Sequence, residues 1–321
     1  MKISIIIPNY NSKHLLEKNL PKIIREIEKL RNYEIEIIIV DDDSTDGSIE
    51  FINQFTSSRV HELRNKKARE FTSSRVNGLK NSLINNSLIN NKPIIKLIRN
   101  RKNSGFSSSV NQGVREAEGE LLVLLNTDVY PEKGFLEPIL PHFKDAKVFS
   151  VGMLDKSIEG DNIVRRGRGI GEWRRGMYVH RRGEVDKTDT AWVSGGSGAF
   201  RTSIWKKLSG FDEIYNPFYW EDIDLSYRAV KKGYKILFEP KSVVIHEHGK
   251  GIIKLNYNEQ QIKTISYRNQ FLFIWKNANF LHLILHFLWL PYHLIRFLFR
   301  FDFTFFFGFF WAIKRKLTFR R

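Results

Sequence analysis

The chain has 321 residues, with 52 Lys and Arg against 35 Asp and Glu and no Cys, and its formal net charge is +17. A chain of this length can bury enough apolar surface for one large domain or two modest ones. The lack of Cys excludes disulfides and thiolate chemistry, and it fits a reducing compartment. The positive charge points to an anionic partner: nucleic acid, a membrane surface or a phosphorylated substrate.

The N-terminal half alternates apolar strands with amphipathic helices. Strands are predicted at 2–7, 35–40, 94–98, 121–126 and 147–152, and helices at 12–30, from about 46, at 108–117 and at 132–143. Strand–helix–strand units with short links predict an α/β protein with a mainly parallel sheet. Between 53 and 92 two short polar repeats break this pattern, so we expect a surface insertion there.

The second half is less regular. From 160 to 187 seven Arg lie among few acids, which indicates a solvated loop, with contact to a diphosphate or to lipid headgroups as the alternative. A strand at 191–194, a helix near 202–208, an acidic helix at 220–231 and strands at 234–238 and 243–245 are predicted next.

Carboxylates follow apolar strands at two places. Asp41 and Asp42 come directly after the run that ends at Val40, and Asp128 follows the run that ends at Leu125. In an open α/β sheet, ligands bind beyond the carboxyl ends of the strands. Because like charges repel, carboxylates gathered there suggest a divalent metal that carries a phosphorylated ligand. The sequence therefore predicts an enzyme acting on a nucleotide-linked substrate.

Seven motifs together resemble those of glycosyltransferase family 2, and most closely those of its rhamnosyltransferase-like members, which build bacterial surface glycans. In chain order they are SIIIPNYN, VDDDSTDGS, NSGFSSSVNQG, LLNTD, SGGSGAFRTSIWKKLSGFDE, YWEDIDLSYR and VVIHEHG, and they cover about residues 1–250 apart from the insertion. The resemblance implies a GT-A fold, which is a Rossmann-like mixed sheet flanked by helices. It also implies inverting transfer of a hexose or deoxyhexose from a nucleotide diphosphate to an acceptor hydroxyl.

The same resemblance implies a set of donor-binding residues, with a UDP- or dTDP-linked sugar as the donor. The set comprises Pro8, Asn9, Tyr10, Asp41, Asp42, Asn103, Gly105, Asn111, Asn126 and Asp128. Tyr10 is expected to stack on the base, Asp41 to accept a hydrogen bond from it, and Asp42 or Asp43 to support the loop. Many family members carry Asp-x-Asp where this chain has Asn126 before Asp128, so one negative charge is missing.

A metal site is implied by the late histidine of the family. Asp128 would bind a divalent cation, Mg²⁺ or Mn²⁺, together with His246, or with His248 as the alternative. A neutral imidazole suits Mn²⁺, whereas Mg²⁺ prefers oxygen ligands.

The catalytic base implied by the resemblance is Asp222, with Glu221 beside it as a ligand of acceptor hydroxyls. Both open a helix, where the positive end of the dipole stabilises carboxylates. The predicted acceptor pocket comprises Trp192, Gly195, Gly196, Trp220 and Glu221. Core packing would explain each aromatic residue equally well. The Gln-x-x-Arg-Trp signature of processive synthases is absent, so a single addition is expected.

The C-terminal segment has a composition of its own. Residues 276–321 hold eight Lys and Arg, one Asp and 12 of the 25 Phe. On a helix, His282, His286, His293, Arg296 and Arg300 share a narrow stripe on an otherwise apolar surface. No apolar stretch is expected to reach the roughly 20 residues of a clean membrane-spanning helix.

These features predict two regions: a glycosyltransferase domain at 1–255 and a helical extension at 256–321. The extension would lie on an anionic membrane at its cytoplasmic face, with Lys314, Arg315 and Lys316 meeting the headgroups. Packing on the catalytic domain or forming a homodimer is the alternative. A membrane location would suit a polyprenyl-diphosphate-linked saccharide as the acceptor.

Two other functions compete with this interpretation. A basic nucleic-acid-binding protein is disfavoured, because much of the excess charge lies beside the Phe-rich segment and no nucleic-acid motif is present. A catalytically inactive glycan-binding or scaffolding homologue is suggested by Asn126 alone. Turnover assays separate it from an active enzyme.

Overall fold

The structure is a computed structural model, and it describes residues 1–59, 92–247 and 252–319. Most of the predicted insertion at 53–92 and the alternative metal ligand His248 lie outside the described residues.

Eleven strands are named here in chain order. They are β1 (Lys2–Asn9), β2 (Glu34–Asp41), β3 (Ile94–Arg99), β4 (Leu121–Leu125), β5 (Val129–Pro131), β6 (Val148–Glu159), β7 (Asn162–Arg166), β8 (Gly169–Arg174), β9 (Met177–Arg182), β10 (Ser197–Arg201) and β11 (Lys235–His246). One mixed sheet has the order β3–β2–β1–β4–β10–β6–β11–β5, with β7 paired to β6, and β8 and β9 form a separate hairpin. The pairs among β3, β2, β1 and β4 are parallel, and antiparallel β10 joins this block to the parallel pair β6–β11.

The helices flank this sheet and form the C-terminal region. They are α1 (Lys13–Ile27), α2 (48–59), α3 (Phe106–Arg115), α4 (Thr202–Lys207), α5 (Glu221–Lys231), α6 (Ile252–Asn256), α7 (Glu259–Asn277), α8 (Phe280–Phe299) and α9 (Phe303–Thr318).

The sheet is covered on both faces, which is why its central strands are apolar throughout. Alternate residues of a strand point to opposite faces. On β1, Ile5 belongs to the same core cluster as Leu20 of α1, whereas Ile6 belongs to the cluster that contains Val110 of α3. The predicted mainly parallel sheet flanked by helices, with a C-terminal helical extension, is confirmed.

Three predicted elements differ from the structure. The helix at 132–143 is wrong, because Pro131, Pro138 and Pro141 prevent a continuous helix and leave a 3₁₀ turn at Leu140–Lys144. The strand at 191–194 is also wrong, since the pairing residues are those of β10, whose small Gly198 and Ala199 fit between β4 and β6. The two strands predicted at 234–238 and 243–245 form the single strand β11, with an irregularity between them.

The Arg-rich segment at 160–187 is not the predicted loop but supplies β7, β8 and β9. Most of its arginines are exposed and lie at the ends of these strands, while aromatic residues of the hairpin pack inward. On the β8–β9 hairpin Trp173 lies opposite Tyr178, and their ring centroids are 5.5 Å apart. Such cross-strand aromatic pairs stabilise a hairpin despite a charged outer face.

The C-terminal helices divide into an inner helix and two outer ones. Phe271, Phe273 and Ile274 of α7 are buried in one cluster with Trp220 and Ile223. Outside α7, α8 has 20 residues and, by length and composition only, could cross a membrane. The expectation that no apolar stretch reaches this length is therefore wrong.

The polar stripe of α8 faces the protein. The His286 Nδ1 and His293 Nε2 atoms each lie 2.8 Å from a backbone carbonyl oxygen, of Gly176 and Arg175 respectively, in the β8–β9 turn. In α9, Arg315 donates to the backbone oxygens of Glu213 and Ile214. Of the three basic residues predicted to meet headgroups, Arg315 thus helps to hold α9 in place.

Close packing of α9 on α7 depends on Gly308, where an added Cβ would lie 2.6 Å from Tyr267 Cβ and 2.9 Å from Arg268 N. We expect Gly308→Leu to push the helices apart and to lower the free energy of unfolding by about 1–3 kcal/mol. Chemical denaturation measures this change. Phe307→Ala at the neighbouring, exposed position is the control, and equal stabilities of the two variants would contradict the packing described.

Candidate active site

The carboxyl ends of β1 and β2 form a buried polar corner. Asn9 Nδ2 donates to Asp41 Oδ2 at 2.7 Å, and Ser44 N donates to Asp41 Oδ1 at 3.0 Å. Asn9 Oδ1 is buried and has no hydrogen-bond partner among the described residues. A buried acceptor without a partner marks a place where a ligand can donate a hydrogen bond.

Pro8 and Tyr10 lie on either side of this corner and are both partly exposed. Pro8 is opposite Val40 on the neighbouring strand. Both residues therefore border the same carboxyl edge of the sheet as Asp41, where the sequence predicted the base pocket.

Asp42 organises the turn at 100–105. Its Oδ1 accepts from Asn100 Nδ2 at 2.6 Å and from Ser104 N at 3.0 Å, and its Oδ2 accepts from Gly105 N at 2.8 Å. Asn103 is exposed within this turn. Asp42 thus fixes the conformation of the 100–105 turn, which lies next to the β1–β2 corner.

Asn111 uses its amide inside the protein. Its Nδ2 donates to Phe211 O at 2.8 Å and contacts Glu213 Oε1 at 3.2 Å, while its Oδ1 accepts from Phe211 N at 3.0 Å. These contacts attach α3 to the segment that leads into the acidic helix α5.

Asp128 and His246 lie next to each other beyond the end of β4, with 3.1 Å between Asp128 Oδ2 and His246 Nε2. They meet because β5 directly follows Asp128 and pairs with the end of β11, where Val129 lies opposite His246. On its other side, His246 Nδ1 lies 2.8 Å from Asp155 Oδ2. Burial lowers the pKa of His246, but hydrogen bonds to the two carboxylates outweigh burial and raise that pKa to about 9.

The donor set around His246 fits a divalent cation. A histidine held by a carboxylate on one ring nitrogen commonly presents the other nitrogen to a metal. Carboxylate oxygen and imidazole nitrogen are both ligands of Mn²⁺. In the described part of the chain no three His, Cys, Asp or Glu side chains form a metal-binding group, so Asp128 and His246 would leave the remaining positions to water and ligand oxygens.

Gly195 and Gly196 connect the Asp128 turn to Asp222. Asn126 N donates to Gly196 O at 3.0 Å, and a Cβ on Gly196 would lie only 2.5 Å from Asn126 Nδ2. Gly195 N makes a long hydrogen bond of 3.4 Å to Asp222 Oδ2. Asn126, two residues before Asp128, therefore touches the same glycine pair that touches Asp222, and its buried Oδ1 lacks a partner in the described residues.

Glu221 and Asp222 form a pair of carboxyl groups in the first turn of α5. Burial, reinforced by the negative charge of Asp222, raises the pKa of Glu221 well above its ordinary value. Burial also raises the pKa of Asp222, to about 6, against hydrogen bonds from the backbone N–H groups of Ile223 and Gly195. Burial thus favours the protonated form of both carboxyl groups, and with its pKa at about 6 Asp222 is still mostly ionised at neutral pH.

Aromatic rings line the side of the cleft next to this pair. His180 lies edge-on to Trp192 and to Trp220, with centroid distances of 5.3 and 5.0 Å. Trp220 Nε1 and Glu221 Oε2 are buried and have no hydrogen-bond partner within the described ranges. An apolar wall with unpaired polar atoms is typical of a site that binds a polar ligand such as a sugar.

The loop before α5 has an unusual backbone that α7 holds. Tyr219 and Trp220 have φ angles of 72° and 77°, a conformation that costs on the order of 1–3 kcal/mol per residue. Asn269 Nδ2 lies 2.7, 2.9 and 2.8 Å from the backbone oxygens of Tyr215, Phe218 and Tyr219. One amide of α7 thus binds three carbonyls of the loop that leads into Asp222.

Asp224 ties α5 itself to α7. It is fully buried and accepts hydrogen bonds from Tyr215 Oη at 3.0 Å, Arg228 Nε at 2.7 Å and Asn277 Nδ2 at 2.8 Å. Lys276 Nζ lies 3.0 Å away. Each of these partners compensates the buried charge, so the first turn of α5 is fixed from two sides.

Sequence reasoning missed Asp155, Asn269 and Asp224. Asp155 lies in β6, after an apolar run like the one before Asp128, so the same pattern could have pointed to it. Asp224 was visible in the acidic motif. No sequence signal indicated Asn269, whose contacts are about 50 residues away along the chain.

Comparison with known proteins agrees with this geometry. The family model described as Glycosyl transferase family 2 matches residues 4–83 and 82–209. A pre-mycofactocin glycosyltransferase of Mycobacterium tuberculosis is 26% identical over 161 residues, which cover 48% of this chain and 32% of that protein. An O-antigen chain rhamnosyltransferase of Salmonella typhimurium is 19% identical over 252 residues, covering 77% of this chain and 67% of that protein.

Among solved structures, the crystal structure of GalNAc-T7 with UDP, GalNAc and Mn²⁺ has a TM-score of 0.57 and 19% identity. It covers 85% of this chain, which in turn spans 47% of GalNAc-T7. At this identity the similarity shows a shared GT-A fold. The chain spans about a third of the length of the first curated relative it matches. Because the family model covers most of the chain, the protein belongs to glycosyltransferase family 2.

Proposed function

We propose that the protein is a metal-dependent, inverting glycosyltransferase that moves a sugar from a nucleotide-diphosphate donor to a hydroxyl of a saccharide acceptor. The observation that carries this proposal is the chain of contacts from Asp128 through Asn126 and the Gly195–Gly196 pair to Asp222. These contacts support a site in which the ligand of the donor's cation and the base lie near each other, as transfer between two substrates requires.

The donor side would be formed by the β1–β2 corner and by Asp128 with His246. Asn9 Oδ1 and Asn126 Oδ1 are the unpaired acceptors there, suited to donor groups of the base and ribose. A Mg²⁺ or Mn²⁺ ion held by Asp128 and His246 would neutralise the leaving diphosphate. The GalNAc-T7 structure with Mn²⁺ supports a divalent cation in this role.

The acceptor side would be formed by the aromatic wall and the carboxyl pair. Asp222 removes the proton from the acceptor hydroxyl as its oxygen attacks the anomeric carbon from the face opposite the diphosphate, which inverts that centre. Glu221 binds an acceptor hydroxyl by a hydrogen bond, and burial favours its protonated form. The partly exposed Trp192 offers an apolar face against which a sugar ring packs, whereas Trp220 is buried and supports the wall from within.

The outer helices support a location at an anionic membrane surface on its cytoplasmic side. Large apolar side chains of α8 and α9 are exposed there, among them Phe280, Leu281, Phe287, Leu288, Phe299, Phe303, Phe307, Phe310 and Leu317. An apolar surface of this extent is rare on a soluble monomer. A lipid-linked saccharide would present its sugar at that surface, which suits an acceptor of the polyprenyl-diphosphate class.

The role of Asp222 is tested by Asp222→Asn. Removing a general base lowers kcat by about 10²–10⁴-fold. Because Asp222 acts in its ionised form and its pKa is about 6, the wild-type rate should fall as the pH drops through 6. Steady-state assays of sugar transfer over a panel of nucleotide sugars with Mn²⁺ or Mg²⁺ measure both effects. Equal, negligible rates in wild type and variant would support the inactive glycan-binding homologue instead.

The contribution of α7 is tested by Asn269→Ala, which removes the donor for three carbonyls of the 215–219 segment. We expect kcat to fall about tenfold or more, because a small displacement of the base strongly slows transfer, while the affinity for the nucleotide stays within about twofold. Asn258→Ala, which removes the N-cap of the same helix at a cost of about 1 kcal/mol, is the matched control. A loss of activity no larger than that of Asn258→Ala would show that Asn269 only stabilises the fold.

The membrane location is tested by replacing Leu281 and Leu288 on the exposed face of α8 with Asp. Each substitution puts a charge where the acyl boundary would be, so co-sedimentation with vesicles containing anionic lipid should fall several-fold. Lys231→Asp, an exposed change on α5, is the control for charge. If vesicle binding is unchanged and the variants lose self-association instead, α8 forms a homodimer interface.

A further inference from the structure

A basic cavity lies at the open end of the β8–β9 hairpin, outside the site described above. Its volume is about 560 Å³, and its charged lining consists of Arg165, Arg168, Arg181, Arg182, Lys187 and Glu184. Five cations against one carboxylate make it a strongly positive concave surface.

Arg168 forms the wall of this cavity and is not available to a ligand. It is 6% exposed, its Nε donates to Asp189 O at 2.6 Å, and its Nη2 pairs with Asp189 Oδ2 at 2.6 Å. The return of the chain from β9 is held by Gly183 N, which donates to Arg168 O at 2.9 Å. The cavity is therefore a built feature of the fold.

The other arginines have no opposite charge beside them. Within residues 1–59, 92–247 and 252–319, Arg165, Arg181 and Arg182 form no ion pair, and Lys187 reaches only Glu184, at 3.7 Å. Guanidinium groups gathered without counter-charges repel one another, and a bound anion relieves this repulsion. Their planar fork of N–H donors matches the oxygens of a phosphate.

The position of the cavity relates it to the acceptor. Arg182 lies two residues after His180 on β9, so both side chains point to the same face of the hairpin. His180 in turn contacts Trp192 and Trp220, next to Glu221. Arg182 therefore extends the face of the hairpin that carries the aromatic wall, whereas Arg181 and Ile170 line the cavity from the opposite face.

The hairpin also separates this cavity from α8. At its turn, Arg175 contacts Tyr292 and His293 of α8, whereas the cavity lies at the opposite end, roughly 20 Å away at the rise of a β-strand. A lipid headgroup beneath α8 is therefore not the natural source of the anion.

We propose that this cavity binds a phosphate group on the saccharide part of the acceptor, apart from any lipid-linked diphosphate at the membrane, through Arg165, Arg181 and Arg182. The assignment to the acceptor rests on the proposed function, whereas the anion site itself does not. The enzyme would then recognise an acceptor that carries phosphate beyond the sugar being extended.

Calorimetric titration of the full chain with sodium pyrophosphate, in EDTA to remove metal-dependent binding, tests the anion site. The Arg165→Gln/Arg181→Gln/Arg182→Gln variant should bind at least tenfold more weakly, while Arg174→Gln, an exposed change nearer the hairpin turn, should bind like wild type. If the triple variant is unstable, the single variant Arg181→Gln should still weaken binding measurably. No binding by wild type, or equal binding by wild type and the Arg181→Gln variant, would overturn the site.

Two further measurements identify the source of the phosphate. With a phosphate-bearing saccharide acceptor, the triple variant should raise KM at least tenfold and change kcat less than threefold. With the same acceptor after dephosphorylation, both KM and kcat should change less than threefold. Its binding to vesicles with anionic lipid should equal that of wild type. Loss of vesicle binding, or an equal rise of KM for both acceptors, would overturn the assignment to the acceptor. If the triple variant loses affinity for pyrophosphate but the wild type shows no transferase activity, the proposed function is refuted and the anion site still stands.

Discussion

The buried contacts between α5 and α7 are the constraint on which the rest of the site depends. Asp224 has no solvent access, so its charge is tolerated only because Tyr215, Arg228, Lys276 and Asn277 surround it. Removing one partner of such a buried charge lowers the free energy of unfolding by about 3–5 kcal/mol. The same two helices fix the left-handed backbone that precedes Glu221. The C-terminal helices thus help to build the candidate active site as well as the outer surface of the protein.

Two clusters of titratable groups divide the proposed chemistry between them. On one side, His246 lies between Asp128 and Asp155, and the negative surroundings that raise its pKa to about 9 are also those that favour a metal cation. On the other side, none of the residues that the structure describes puts a cation beside Glu221 and Asp222, so burial raises both pKa values. Opposite environments thus prepare one side for an anionic leaving group and the other for proton removal.

The sequence predicted most where the physical signal is local. The apolar runs of β1, β2 and β4 and the carboxylates after them predict the buried strands and the polar edge at their carboxyl ends, because strand burial and polarity appear in adjacent residues. The family resemblance supplied Asp128 and His246, which lie about 3 Å apart in the structure. The Arg-rich hairpin was missed because its inward residues are few, and Asn269 because its role depends on a contact between distant segments. The sequence did not show that His286 and His293 face the hairpin, since a helical projection does not show which face the protein covers.

The most direct test of this account is an experimentally determined structure of the protein with Mn²⁺ and a nucleotide diphosphate. The account predicts one cation bound by an oxygen of Asp128 and by the Nε2 atom of His246, with the diphosphate completing its coordination. The carboxylate of Asp222 should face the same cleft without touching the metal. A cation bound instead between Glu221 and Asp222, or a nucleotide bound in a separate pocket, would contradict it.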